Sequence, residues 1–242
     1  MRILRSEWLK VVSVPTTWVL LGAMLLIEGL FAGLVAGVGD LKDLKTADPR
    51  VMLLGTSLQT VLMFTLGALL ATNEYRHGTA NQTFLITPRR ERVIAAKLAV
   101  GLAVGVVAAL LYITVNAGLG LSILSKRGVS VDGDLAVNIY LGMGVGLVLG
   151  CLFGVALGAL LRNQILTIVT GFLLFSFLRG TVALFIGTDV GKFFPGEALL
   201  ALQDAPTGED LLSQVEAGLV LVATCVAVAI AGIAVTRNRE IT

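Results

Sequence analysis

The chain has 242 residues, of which 56% are hydrophobic and only 14% charged, and its mean hydropathy is +0.92. Soluble domains typically carry about 25% charged residues, so a water-soluble fold is not expected. The formal net charge is only +2, and no nucleic-acid partner is expected. The apolar bulk consists of Leu, Val, Ala and Gly, which is typical of closely packed membrane helices.

Six apolar stretches are each long enough to cross a bilayer, whose hydrocarbon core of about 30 Å needs about 20 helical residues. Backbone groups in lipid must bond internally, and the stretches lack the alternation of barrel strands, so all should be α-helices. The sequence therefore predicts one all-α transmembrane domain over residues 1–242. The approximate spans are Trp18–Val38, Val51–Thr72, Ala95–Leu124, Leu135–Leu161, Ile165–Gly187 and Glu216–Val235.

Residues 1–15 precede the first span and have the pattern of a basic amphipathic helix. Trp8 shares its apolar face with Leu4, Lys10 lies opposite, and Arg5 and Glu7 fall at the margins. We expect this helix to lie in the inner membrane interface and to contact lipid headgroups. The alternative is a frayed basic terminus.

Polar side chains within the spans are candidates for a working site. Glu28 falls near the middle of the first span and Arg179 in the outer half of the fifth. Each costs about 2.5 to 3.5 kcal/mol at a helix centre, so neither should face lipid. The two could pair, either as a buried latch or beside a substrate path. Gln59 and Asn116 could line a path or tie helices together.

The segment of residues 73–92 is the most informative part outside the spans. Gly78 and Thr79 are expected to form a bend and the N-cap of a short helix over Ala80–Leu85, which Pro88 would end. A basic group follows, and on charge alone it could bind anionic headgroups or set topology. Its members are Arg89, Arg90, Arg92 and Lys97.

The fourth span carries five glycines at a strict interval of four residues, which predicts a close-packing helix face. The partner helix could lie in the same chain or across a dimer. The glycines are Gly142, Gly146, Gly150, Gly154 and Gly158. Further along, the outer loop of residues 188–213 is expected to contain a short helix at Glu197–Gln203, the alternative being an acidic solvated loop.

Orientation follows from the lysines and arginines, which concentrate at both termini and in residues 73–92. The positive-inside rule then predicts cytoplasmic N- and C-termini. His77 is the single histidine, so a multi-histidine metal centre is excluded and no metal site is expected. The nearest match to a phosphate-binding loop, Gly187–Lys192, is one residue short and is followed by Phe193 instead of Ser or Thr. Any ATP hydrolysis would therefore need another subunit.

Two segments together resemble the signature of ATP-binding-cassette type 2 permeases, the membrane halves of bacterial exporters. One is Glu74-Tyr-Arg-His-Gly-Thr79, followed by Thr83-Phe-Leu-Ile-Thr-Pro-Arg-Arg-Glu-Arg92 and Lys97. The other is the opening Arg5-Ser-Glu-Trp-Leu-Lys10. The resemblance extends over the whole chain in span number and spacing, but its specific residues lie mainly in the first hundred.

The resemblance implies a permease without ATPase activity, in the inner membrane of a bacterial cell. A separately encoded cassette ATPase, in two copies, would bind ATP and Mg²⁺ and act on a permease homodimer. The loop of residues 73–92 would couple ATP hydrolysis to the helices, with Glu74 near the contact, Gly78 and Thr79 at the bend and Pro88 at the exit. The implied coupling residues are Glu74, Arg76, Gly78, Thr79, Pro88, Arg90 and Arg92.

The expected activity is therefore ATP-driven export of a hydrophobic or amphipathic solute. A drug, a peptide antibiotic or a lipid-like molecule fits, so that multidrug resistance is one expected role. Two alternatives stay open at the level of sequence. In an ion-coupled secondary transporter Glu28 would carry the proton, whereas a membrane-embedded enzyme would need clustered acids or histidines at one depth.

Overall fold

A computed structural model describes residues 2–38, 53, 58–79, 90–126, 128, 130–177, 181, 185, 187–203 and 211–238. These residues form helices and connecting turns, with no strand among them. The helices are α1 (Arg2–Ser13), α2 (Pro15–Val38), α3 (Leu58–Arg76), α4 (Arg90–Lys126), α5 (Gly133–Leu161), α6 (Gln164–Phe172), α7 (Thr188–Gly191), α8 (Pro195–Leu202) and α9 (Gln214–Asn238). A π-helical turn, Leu173–Phe177, continues α6.

Four helices in the described part of the chain are long and apolar enough to cross a membrane: α2, α4, α5 and α9. They coincide with the first, third, fourth and sixth predicted spans. The second predicted span is described at Leu53 and from Leu58 onward, as α3, and the fifth as α6 with its π turn. An all-helical membrane fold is thus established, whereas the count of six spans is a proposal taken up below.

The outward faces of the long helices are apolar. On α2, Met24 and Glu28 are buried while Leu26 and Leu30, on the opposite side, are about 60% exposed. Ile230 on α9 is likewise 62% exposed. Such continuous apolar surface would be a liability in water, but it suits a hydrocarbon environment.

The helix α5 lies at the centre of the bundle and packs against α3, α4 and α9. Its five evenly spaced glycines face neighbours of the same chain. Gly150, Gly154 and Gly158 lie against α3, and Gly142 and Gly146 lie against α8. In this fold the partners of the glycine face are therefore intramolecular, an alternative that the sequence left open.

The contact between α3 and α5 brings the two backbones together. A Cβ atom added at Gly154 would lie 2.1 Å from the Phe64 carbonyl oxygen. From the other side, a Cβ atom at Gly67 would lie 1.9 Å from the Cys151 carbonyl oxygen. Only glycine leaves room for such an approach, so α3 and α5 behave as one packed unit.

The two short helices differ in their surroundings. In α8, which covers nearly the residues of the helix predicted at Glu197–Gln203, Pro195 occupies the first turn and Ala198–Leu202 are buried against α9 and α5. In α1, Trp8 is 41% exposed, whereas Glu7 is buried. Glu7, predicted at the margin of the apolar face of this helix, has its carboxylate directed toward Lys97 inside the bundle.

Candidate functional site

Four charged side chains from three helices meet at one end of the bundle. Glu7 and Lys10 belong to α1, Glu74 to the last turn of α3 and Lys97 to the third turn of α4. We call these residues the inner charge cluster. The Lys97 Nζ atom lies 2.8 Å from Glu7 Oε2 and 3.2 Å from Glu74 Oε2, and Lys10 Nζ lies 2.5 Å from Glu7 Oε1.

Lys10 also pairs with Glu74, which closes a ring of alternating charge. Each lysine contacts both carboxylates and each carboxylate contacts both lysines. Lys97 additionally donates a hydrogen bond to the Leu70 carbonyl oxygen at 3.1 Å. The ring has no net charge, which is the arrangement that best offsets the cost of removing charges from water.

Burial makes this ring more than a surface ion pair. Glu7, Glu74 and Lys97 are only 5%, 8% and 6% exposed, although the Lys10 side chain is half open to solvent. Removing one partner of a buried pair typically costs about 3 to 5 kcal/mol, because the remaining charge stays buried and unpaired. The cluster therefore fixes α1 against the ends of α3 and α4.

Lys97 departs from its predicted role. The sequence grouped it with Arg89, Arg90 and Arg92 as a binder of lipid headgroups, but its ammonium group points into the bundle. A signal was present, since Lys97 follows Val93, Ile94 and Ala96 on a buried helix face and a cation there needs an acidic partner. The partner itself could not be identified, because Glu7 lies 90 residues away in sequence.

The cluster shifts the pKa of Glu74 and of Lys10. Burial by itself raises the pKa of the Glu74 carboxyl group, but the charges of and hydrogen bonds from Lys97 and Lys10 outweigh it and lower this pKa. Burial by itself lowers the pKa of Lys10, but its hydrogen bonds to Glu7 and Glu74 and their negative charges raise it above the ordinary value. Both shifts favour the charged ring.

We expect the stability of the protein to fall in acid, and Glu74 to account for part of this fall. A carboxyl group whose pKa is lowered by folding stabilises the native state fully above its ordinary pKa of 4.5 and loses that contribution as the pH falls through the lowered value. Thermal unfolding in detergent between pH 6 and pH 3 should therefore depend less on pH in Glu74→Gln than in the wild type. Glu91→Gln, at an exposed acid of α4, is the matched control; equal slopes for all three proteins would contradict the assignment.

The segment after Glu74 forms the C-terminal cap of α3. Gly78 has a left-handed φ of +67°, its N–H donates to the Tyr75 carbonyl oxygen, and the Thr79 N–H donates to the Glu74 carbonyl oxygen. This is the Schellman arrangement that ends many helices at glycine. Gly78 and Thr79 thus close the preceding helix, and their role as the bend and N-cap of a helix over Ala80–Leu85 stays a prediction, because that segment lies outside the described residues.

The remaining predicted coupling residues are described only in part. The Arg76 side chain is exposed and donates to Gln164 Oε1 at 3.4 Å, and Arg92 is exposed in the first turn of α4. Arg90 begins α4, but its side chain, Pro88 and the helix predicted over Ala80–Leu85 lie outside the described residues. Arg5 is exposed on α1.

A second polar group lies within the bundle, around Glu28 of α2. Its carboxylate accepts hydrogen bonds from Gln59 Nε2 of α3 at 2.9 Å, Tyr112 Oη of α4 at 2.7 Å and Asn116 Nδ2 of α4 at 2.6 Å. None of these four side chains is more than 2% exposed. The carboxylate therefore ties three helices together in a region without bulk water.

The predicted pairing of Glu28 with Arg179 stays a prediction, because Arg179 lies outside the described residues. What the sequence missed is Tyr112, whose hydroxyl is one of the three donors. Tyr112 and Asn116 are four residues apart and so share a face of α4, which could have revealed the group. Its complete burial favours a tie between helices over a substrate path in this conformation.

We expect Glu28→Ala to destabilise the fold, because Tyr112 and Asn116 would lose the carboxylate that accepts their hydrogen bonds. Each unsatisfied buried donor costs about 1 to 3 kcal/mol, so the thermal midpoint should fall markedly. Glu28→Gln retains an acceptor oxygen and should be milder. Thermal midpoints measured by size-exclusion chromatography in detergent would compare the two variants. An Ala variant as stable as the wild type would contradict the proposal that Glu28 holds the three helices together.

The bundle of apolar helices and its buried ion pairs define a polytopic helical membrane protein. A family model described as ABC-2 family transporter protein matches residues 3–179, a range that includes all of both polar groups. The chain belongs to this family and is a membrane permease of an ABC transporter, which confirms the resemblance seen in the sequence. A search of curated proteins found no match.

Proposed function

We propose that the chain is the permease subunit of an ATP-driven exporter whose energy comes from a separate cassette ATPase. The observation that carries the proposal is the inner charge cluster. It joins α1 to Glu74 just before the segment of residues 77–89 and to Lys97 just after it. A subunit that binds this segment would act on three helices at once through the cluster.

The geometry favours transmission of a movement from one helix to the others over local bending of a single helix. Because Glu7 and Glu74 are buried and both pair with the buried Lys97, a displacement of α1 or of the end of α3 would move its partners rather than break the ring. The close contact of α3 with α5 at Gly154 and Gly67 then extends the movement into the centre of the bundle. Discrete rearrangement of packed units is the usual form of such coupling.

The proposed exporter crosses the bacterial inner membrane six times with both termini in the cytoplasm. Support comes from the four long apolar helices of the described chain, from α3 and α6 lying where further spans are predicted, and from basic residues at both termini. In the proposed assembly two permeases act with two ATPase subunits, which bind ATP and Mg²⁺.

The proposed solute is hydrophobic or amphipathic: a drug, a peptide antibiotic or a lipid-like molecule. The described bundle interior offers mainly apolar side chains, with the inner charge cluster and the polar group around Glu28 as its principal exceptions. Such an interior suits a molecule that already partitions into the membrane better than a polysaccharide.

Co-expression with the product of the neighbouring gene, as the candidate cassette ATPase, tests the proposal. The two proteins should co-purify, and inverted vesicles containing both should accumulate a hydrophobic dye only when ATP is present. A matched preparation with a catalytically inactive ATPase should bind but not transport. Failure of any cassette ATPase to co-purify, together with ATP-independent transport, would contradict the proposal.

A further inference from the structure

A cavity of about 560 Å³ lies beside the inner charge cluster. Its lining residues come from α3, from the end of α1 and the start of α2, and from α4 and α6, which supply Lys97, Val100 and Gln164. Its volume falls within the range of about 300 to 1,000 Å³ that is typical of small-molecule sites. The cavity is therefore large enough for a ligand rather than for a single water molecule.

The lining of the cavity changes from apolar to polar along α3. Leu66, Leu69 and Leu70 line its deeper part, whereas Asn73, Arg76 and His77 line the end nearer the predicted cytoplasm. From Leu66 to His77 this gradient covers about 16 Å at 1.5 Å per residue. Val11, in α1, and Val14, between α1 and α2, also belong to the apolar part of the lining. A molecule that fills the site must itself be amphipathic, with its apolar part directed into the bundle.

The charges around the cavity favour an anion at the polar end. The two carboxylates of the lining, Glu7 and Glu74, are each already paired with both Lys10 and Lys97. Arg76 adds a positive charge that the ring does not balance, and it donates to the neutral amide of Gln164 at the long distance of 3.4 Å. The lysine, arginine and glutamate side chains of the lining thus carry an excess of one positive charge.

We propose that this cavity binds an amphipathic anion, with an apolar chain between α3 and α1 and a phosphate or carboxylate group beside Arg76. The site would take such a molecule from the inner leaflet, since the neighbouring face of α1 presents exposed apolar side chains such as Trp8 and Val12. This deepens the proposed export function by naming a ligand class. The proposed binding site rests on the proposed function only for which end of the helix bundle faces the cytoplasm.

Native mass spectrometry of the purified permease in a neutral maltoside detergent tests the proposal without any ATPase, so its failure leaves the proposed function standing. Lysophosphatidylglycerol is the probe, lysophosphatidylcholine has the same chain without net charge, and glycerol phosphate has the headgroup without the chain. The anionic lysolipid should bind about tenfold more tightly than the zwitterion, a difference that one favourable charge contact can supply. Glycerol phosphate should not bind measurably.

Two variants with matched controls locate the binding. Leu70→Trp should fill the cavity and weaken binding of the anionic lysolipid by at least about tenfold, whereas Leu110→Trp, on an exposed face of α4, should not. Arg76→Gln, at an exposed position, should abolish the preference for the anion, whereas Arg5→Gln should keep it. Equal binding of the two lysolipids to the wild type, or an unchanged preference in Arg76→Gln, would overturn the proposal. Tight binding of glycerol phosphate alone would overturn it as well.

Discussion

Substitution of Gly154 by alanine is expected to prevent the permease from reaching a stable folded state. The added Cβ atom would lie 2.1 Å from the Phe64 carbonyl oxygen and 2.8 Å from the Ala68 nitrogen. These are backbone atoms of a packed helix, so neither can turn aside as a flexible side chain would. Overpacking of a well-packed core costs about 1 to 3 kcal/mol and occasionally more, and this contact should exceed that range.

The matched control is Gly22→Ala on α2, where the added atom would meet nothing within 4 Å. Alanine has the higher helix propensity, so this variant should be neutral or more stable by up to about 1 kcal/mol. Expression level and the thermal midpoint of the detergent-solubilised protein measure both. If Gly154→Ala is as stable as Gly22→Ala, the close approach of α3 to α5 is wrong.

Single and double substitutions in the inner charge cluster should have effects that are far from additive. Lys97→Met is expected to cost about 3 to 5 kcal/mol, because it leaves an excess of buried negative charge. Adding Glu7→Gln should cost less than the sum of the two single changes, since Lys10 and Glu74 remain as a balanced pair. The double variant Glu7→Gln/Glu74→Gln should be the worst, because it leaves Lys10 and Lys97 without acidic partners in the ring.

Unfolding free energies in detergent, or thermal midpoints where unfolding is irreversible, measure this ordering. Lys126→Met removes an exposed lysine at the other end of α4 and serves as the control, with an expected change within about 0.5 kcal/mol. Additive costs for Glu7→Gln and Lys97→Met would show that the four charges do not act as a ring. In the proposed exporter the same variants should also reduce ATP-driven transport.

The four long apolar helices, α2, α4, α5 and α9, could be predicted from the sequence because each depends on local composition alone. A run such as Gly133–Leu161 carries its own evidence of length and hydropathy. The glycine interval in α5 likewise predicted a packing face, although the identity of the partner helix depends on the tertiary fold. The burial of Glu28 followed from the cost of exposing a carboxylate to lipid.

The inner charge cluster could not be predicted, because its members come from three distant parts of the chain. Glu7, Glu74 and Lys97 each had a plausible local interpretation at a helix margin, in a loop or among headgroup-binding residues. What local patterns omit is that a buried charge requires an opposite charge wherever the fold can supply one. Gly78 shows a related limit, since a glycine between two predicted helices can cap the first as well as start the second.

The central claim, that the segment after α3 binds an ATPase subunit, is tested most directly by site-specific crosslinking. The native Cys151 and Cys225 are buried, so Thr79→Cys introduces an exposed thiol at this position. Ser125→Cys places a matched exposed thiol in the last turn of α4, at the end of that helix that is far from residue 79 in sequence. With a bifunctional maleimide and the co-expressed cassette ATPase, the position-79 variant should form a crosslinked permease–ATPase product and the position-125 variant should not. Equal crosslinking from both positions, or none from position 79 in a complex that still hydrolyses ATP, would contradict the claim.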